Sequence, residues 1–372
     1  MLVDGALLGG RLERKTRKIE LRKEKREEEM EKKASFECDY IKGAHPKILE
    51  RLIETNFEAL PGYGFDRYSD SAKEKIRAAL GAPEADVEFL VGGTQTNVIV
   101  ISTMLRDWEG VIAADSGHVS VHESGAIEFT GHKVIELPAE DGKLNADDVR
   151  KYVETFRADA THEHMVFPGM VYISYPTEPG TLYSKSELEA LADVCREFEM
   201  PLYIDGARLG YGLMSDAADV TIEDIARIAD VLYIGGTKVG ALCGEAVVFT
   251  KGNKPEHFMT SVKKRGGLLA KGRLLGVQFD TLFTDGLYFE ISRHAIEMAS
   301  RVKEIIKEKG WEFYMDSPTN QQLILMNDAE MEELGKTIAF DRWGIHEDGR
   351  TIVRLATSWS TTEADIEQLA KA

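Results

Sequence analysis

The chain has 372 residues, 43% hydrophobic and 30% charged, with 46 Lys and Arg against 64 Asp and Glu and a formal charge of −18. That length allows roughly two to three domains of about 150 residues each, with a large buried core. The acidic balance argues against nucleic acid or an anionic membrane surface as partner, because each needs a basic face.

Cys38, Cys195 and Cys243 lie far apart, with no CxxC pair and no metal-ligand spacing, so neither a disulfide framework nor a metal site is expected. No apolar run approaches the ~20 residues needed to cross a bilayer. The mildly apolar first ten residues precede the charges, which reverses the order of a secretory signal. The expectation is a soluble cytoplasmic protein.

Residues 11–33 form a charge block without Gly or Pro. Its apolar stripe is too sparse to bury, so residues 1–34 are expected to be a disordered or frayed tail. Residues 1–33 carry +3, leaving −21 for the remainder. The foldable pattern starts only at Ser35, which makes Met30 a candidate natural start.

From there, HPKILERLIETN predicts a helix with Ile48, Leu49, Leu52 and Ile53 on one stripe, and SAKEKIRAAL a second. Strands are predicted at 87–91, 110–114, 133–137, 170–174, 201–205, 231–235 and 245–249, with helices such as 94–105, 145–156 and 184–199 between them. Ser184 and Glu187 form a capping-box signature. Short β-rich runs separated by helices imply an α/β fold, a three-layer mainly parallel sheet with helices on both faces. EAVVF follows VLYIG after a short Gly-rich link and predicts one antiparallel pair. Past residue 285 come a long helix (289–309), short strands near 311–314, 321–326 and 351–357, and a last helix after Ser360. The expected division is a large α/β domain at 35–285 and a small C-terminal α+β domain at 286–372.

Ligands of open α/β sheets bind at the carboxyl ends of strands. Three turns there carry chemistry. Gly92-Gly93-Thr94-Gln95-Thr96-Asn97 leads into a helix whose amides can meet a phosphate, the alternative being a plain tight turn. Asp205-Gly206-Ala207-Arg208 puts a carboxylate where it can hold a proton on a ring nitrogen, the alternatives being an Asp–Arg surface pair or a helix cap. Gly236-Thr237-Lys238 puts a lysine at a buried strand's mouth, where desolvation frees its amine as a nucleophile; the alternative is a salt-bridged structural lysine. The interval between Asp205 and Lys238 leaves room for one helix. Phosphate turn, ring-nitrogen carboxylate and nucleophilic lysine together describe pyridoxal 5'-phosphate.

From about Phe36 onward the chain resembles the threonine aldolase and β-eliminating lyase group of fold type I pyridoxal-phosphate enzymes. The resemblance rests on Tyr63-Gly64-Phe65-Asp66, GGTQTN, HVSVHESGA from His118 to Ala126, DGAR, GGTKVGA and Ile352-Val353-Arg354-Leu355. It implies that Lys238 is the Schiff-base lysine, Asp205 the partner of the ring nitrogen and His118 the residue stacked on the ring. It also implies that Gly93 and Thr94 hold the phosphate and that Arg208 and Arg354 clamp the substrate carboxylate. Lys264 and Lys271 match a stretch that reaches the phosphate of a neighbouring subunit, implying a homodimer or homotetramer. His118 read as a surface histidine, Arg354 as an interface salt bridge and KKRGGLLAKGR as a solvated loop are the alternatives. The implied reaction cleaves Cα–Cβ of a β-hydroxy-L-amino acid of threonine or allo-threonine type, by retro-aldol, to glycine and an aldehyde. Another β-eliminating lyase, racemase or aminotransferase of the same fold is the alternative. Many family members carry a histidine where this chain has Glu178, in Thr177-Glu178-Pro179-Gly180. The candidate bases are therefore Glu178, His118, Glu123 or an activated water.

Overall fold

A computed structural model describes residues 33–372. The predicted tail, apart from its last two residues, lies outside the described residues.

The central sheet has seven strands: β2 (Asp86–Leu90), β3 (Glu109–Ala114), β4 (Val134–Leu137), β5 (Phe167–Ser174), β6 (Leu202–Gly206), β7 (Val231–Gly235) and β8 (Glu245–Phe249), while β1 (Ala34–Ser35) lies outside it. Their order is β2-β8-β7-β6-β5-β3-β4. Pairs among β4, β3, β5, β6 and β7 are parallel. The β7–β8 pair is antiparallel, as predicted, and so is β2–β8.

The strands were readable because both faces are covered. Ile112, Ile204, Leu232 and Ile234 point into one core cluster, with residues of the helices Ala146–Ala158, Lys185–Glu197 and Ile222–Ile228. The alternate residues Val111, Ala113, Tyr203, Val231 and Tyr233 point into another, against the helices Gly93–Met104 and Phe258–Lys264. A strand buried on both faces is apolar at every position, which gives a continuous run. The Ser184 capping box is present.

The remaining strands are β9 (Glu312–Met315), β10 (Gln321–Met326), β11 (Ile338–Ala339), β12 (Asp341–Ile345) and β13 (Thr351–Ala356). Four form an antiparallel sheet in the order β12-β13-β10-β9. The helix Leu287–Lys309 spans two cores: Ile291, Ala295 and Ile296 pack with the central sheet, Met298, Val302 and Ile306 with the small one. Phe36 joins the small core, and β1 pairs with β11.

Several expectations are corrected. Two short helices, Leu209–Leu213 and Ile222–Ile228, replace the single one expected between Asp205 and Lys238. The helix Pro46–Thr55 buries Ile48, whereas Leu49 is 41% and Ile53 73% exposed, so the stripe is wider than the face this chain covers. The helices Phe258–Lys264, Arg273–Leu282 and Asp328–Leu334 and strand β12 had no predicted counterpart. Among the described residues no helix is long and apolar enough to cross a membrane.

Candidate active site

Six of the seven central strands run the same way, so their carboxyl ends share one edge, and the turns leaving that edge line a cavity of ≈ 220 Å³. Gly93, Thr94, His118, Glu178, Asp205, Arg208 and Lys238 all face it. Arg354, Lys264 and Lys271 are not among its walls.

The helix Gly93–Met104 starts at this cavity with Gly92 as N-cap and no side-chain cap. Among the described residues the amides of Gly93, Thr94 and Gln95 have no protein partner, which leaves a positive helix end open. A Cβ on Gly93 would stand 3.1 Å from Tyr233 Oη, a contact that would need the phenol to shift by a few tenths of an ångström.

Asp205 is the next-to-last residue of β6 and is buried. Its Oδ2 accepts from Tyr172 Oη at 2.6 Å and Asn97 Nδ2 at 3.1 Å, and its Oδ1 from the Ala207 amide at 3.0 Å. Burial and the Asp205 charge push the Tyr172 phenol far above its ordinary range, so it stays a donor. Asn97 Nδ2 also donates to Glu123 Oε1 at 2.7 Å, and Tyr203 Oη donates to Asn97 Oδ1 at 2.7 Å. Glu123 Oε1 in turn meets His118 Nδ1 at 2.7 Å. One buried network therefore joins Asp205 to His118. Burial works against charge on His118, but Glu123 and Asp205 outweigh it and hold the imidazole above its ordinary value. Gly206 follows Asp205 because a Cβ there would meet Tyr233 O at 2.2 Å.

Lys238 lies on the turn between β7 and β8. Tyr211 Oη donates to its carbonyl at 2.6 Å, and its Nζ lies 5.9 Å from the Tyr40 ring centre. Desolvation and the neighbouring Arg208 charge push its amine below the usual lysine range, against the pull of Asp39, Asp205 and Glu245. Glu178 accepts from the His118 amide at 2.8 Å and Ser174 Oγ at 2.6 Å. Burial pushes its carboxyl upward against those two hydrogen bonds.

The arginines differ from expectation. Asp205 does not pair with Arg208. Instead Arg208 Nε and Nη2 grip the buried Asp39 at 2.6 and 3.1 Å, leaving Nη1 as the nitrogen turned to no protein group. Arg354 bonds Gln321 Oε1 at 3.0 Å and, across neighbouring strands of the small sheet, Asp341 Oδ2 at 2.8 Å, a salt bridge within that sheet and not at a domain interface; its Nε is buried without a partner among the described residues. Lys264 and Lys271 are exposed.

Sequence reasoning missed Asp39, Asn97, Tyr172 and Glu245. Asp39 and Asn97 meet their partners across 169 and 108 residues of chain, a separation that leaves no local signal. Glu245 reads as the polar start of a strand.

These donors suit a phosphorylated pyridine aldehyde: open amides for phosphate, a buried carboxylate for a ring nitrogen and a low-lying amine for the aldehyde carbon. The family model described as "Beta-eliminating lyase" matches residues 39–329. A low-specificity L-threonine aldolase of Pseudomonas sp. is 30% identical over 90% of this chain and 95% of its own. The solved threonine aldolase of Leishmania major is 42% identical, with TM-score 0.87, covering 91% of this chain and 97% of that one. Aspartate aminotransferase of Thermus thermophilus, 18% identical with TM-score 0.64 over 91% of each chain, shares the fold.

Proposed function

Because this chain belongs to the beta-eliminating lyase family, we infer that its cavity is the active site of a threonine-aldolase-like lyase dependent on pyridoxal 5'-phosphate. The enzyme cleaves Cα–Cβ of a β-hydroxy-L-amino acid to glycine and an aldehyde. The observation that carries this reading is the convergence of Lys238, Asp205 and the open helix start at Gly93 on one cavity.

The cofactor, when bound, supplies an electron sink for the pair released at the substrate's Cα. The chain's residues do the rest. Lys238 offers an amine whose proton affinity is lowered by burial and by Arg208, which favours its nucleophilic form. Asp205, fixed by Tyr172 and Asn97, keeps a proton on the ring nitrogen. His118, aligned by Glu123, lies against the ring. Gly93 and Thr94 hold the phosphate, with Lys264 and Lys271 of a neighbouring copy completing its shell. Arg354 and Nη1 of Arg208 hold the substrate carboxylate. Glu178 is the group best placed to take the β-hydroxyl proton, since burial raises the basicity of its carboxylate.

A homodimer or homotetramer is part of this reading, supported by the exposure of Ile53, Phe57 and Phe65. So is the division into a cofactor-bearing unit at 35–285 and a flanking unit at 286–372.

Purified protein with added cofactor is expected to release glycine and acetaldehyde from threonine or allo-threonine; release of 2-oxobutanoate and ammonia would move it to an eliminating lyase. Glu178→Gln is expected to lower kcat about 10²-fold or more. The acidic limb of the pH profile, where Glu178 gains its proton, disappears in that variant. An unchanged limb would remove Glu178 from the role of base.

A further inference from the structure

Glu245 is the cavity carboxylate that the reaction above leaves without a role. Strand β8 runs against its neighbours, so its first residue lies at the edge where the parallel strands end. There Glu245 is paired in register with Leu90 on one side and Gly235 on the other. It therefore stands between the turn that opens the helix Gly93–Met104 and the turn that carries Lys238. It is 4% exposed. Its Oε1 accepts from Thr237 Oγ1 at 2.7 Å and its Oε2 from the Gly236 amide at 3.1 Å.

A buried carboxylate facing a bound phosphate meets two penalties if ionised, lost hydration and like charge. Both vanish when the carboxyl keeps its proton, and the group then becomes a donor to the phosphate. We propose that Glu245 binds the cofactor's phosphate as a neutral acid, donating its proton to a phosphate oxygen. This rests on the reading that places the phosphate at Gly93 and Thr94.

The surroundings agree. Burial pushes the Glu245 carboxyl up to about 8, with Asp205 adding to the rise, against the Thr237 hydroxyl, Lys238 and the Gly236 amide. The other titratable groups that feel it are Cys243, Tyr233, Tyr203 and Tyr288, all pushed upward by burial and so neutral near pH 8. A phosphate ester loses its second proton near pH ~6. Above neutrality the ester is thus a dianion throughout, and the groups at this end of the cavity that change charge are Glu245 and Lys238.

The test uses 4-deoxypyridoxine 5'-phosphate and unphosphorylated 4-deoxypyridoxine, which lack an aldehyde and cannot bond Lys238. Their affinities for the full chain freed of cofactor are measured by calorimetry near pH 7 and near pH 9.5. The ratio of the two affinities cancels what Lys238 does to the ring that both compounds share, and Glu245→Gln, which keeps Lys238, separates its effect on the phosphate from that of Glu245. Each pH unit above the Glu245 pKa removes up to about tenfold of the donor form, so the wild-type ratio is expected to fall about tenfold or more. In Glu245→Gln, whose amide donates at every pH, the ratio is expected to stay within about twofold. A wild-type ratio that ignores pH overturns the proposal even if the variant does not fold, and so does an equal fall in Glu245→Gln. Failure of both compounds to bind near pH 7 overturns the cofactor reading, and this inference with it; binding with a flat ratio overturns this inference alone.

Discussion

Lys238→Ala is expected to lower turnover by at least about 10³-fold, roughly 4 kcal/mol of barrier. Borohydride is expected to fix the cofactor to the wild-type chain and to leave the variant unlabelled. Lys238 is the primary amine among the described residues that line the cavity. Arg208 beside it is fully charged and gripped by Asp39. Lys238→Arg restores the charge but not the nucleophile, and is expected to fare no better. Single-turnover measurement with threonine, together with peptide mapping after borohydride, checks both. Wild-type turnover in Lys238→Ala would remove the covalent role.

Asp39→Ala is expected to cost about 3–5 kcal/mol of stability, because it leaves the Arg208 guanidinium buried without its partner. Asp39 also accepts from Asn320 Nδ2 at 3.0 Å, so one carboxylate ties the amino-terminal segment to the turn after β6 and to the approach to β10. The pH dependence has a definite sign. Burial opposes ionisation of Asp39, yet Arg208 and Lys238 hold its carboxyl below the usual range. A depressed carboxyl contributes its full stabilisation above the unfolded value near ~3.9 and loses it as pH falls through the folded value. Urea midpoints of wild type and Asp39→Ala are therefore expected to lie far apart at pH 7 and to converge in acid. A gap unchanged down to about pH 3 would show that packing, not charge, is what Asp39 contributes.

The parts of this protein that were legible in its sequence are those decided by local pattern. The seven central strands stood within a few residues of prediction, since burial on both faces makes each a continuous apolar run. The placement of Lys238, Asp205 and Gly93 at the sheet's edge was legible because each lies within three residues of the end of such a run. What stayed hidden depends on partners far along the chain. Arg208 follows Asp205 by three residues and reads as a free clamp; only the fold brings Asp39 onto it. The bridge from Asp205 through Asn97 and Glu123 to His118 joins the segments at the carboxyl ends of three strands, β6, β2 and β3, and no spacing encodes it. Strand β12, DRWGI, is polar and largely uncovered, so neither alternation nor a run marks it.

The place of β8 between β2 and β7 also orders events during synthesis. Leu90 finds its partner, Glu245, about 155 residues later. At ribosomal speeds of about 5–20 residues per second, that is a wait of roughly 8–30 s. Until then β2 has no neighbour, and the turn after it hangs from an unpaired strand. The same hairpin that brings β8 to β2 carries Lys238. The pairings of β8 with β2 and with β7 thus bring the turn after β2 beside the turn that carries Lys238 only once the chain has passed residue 245.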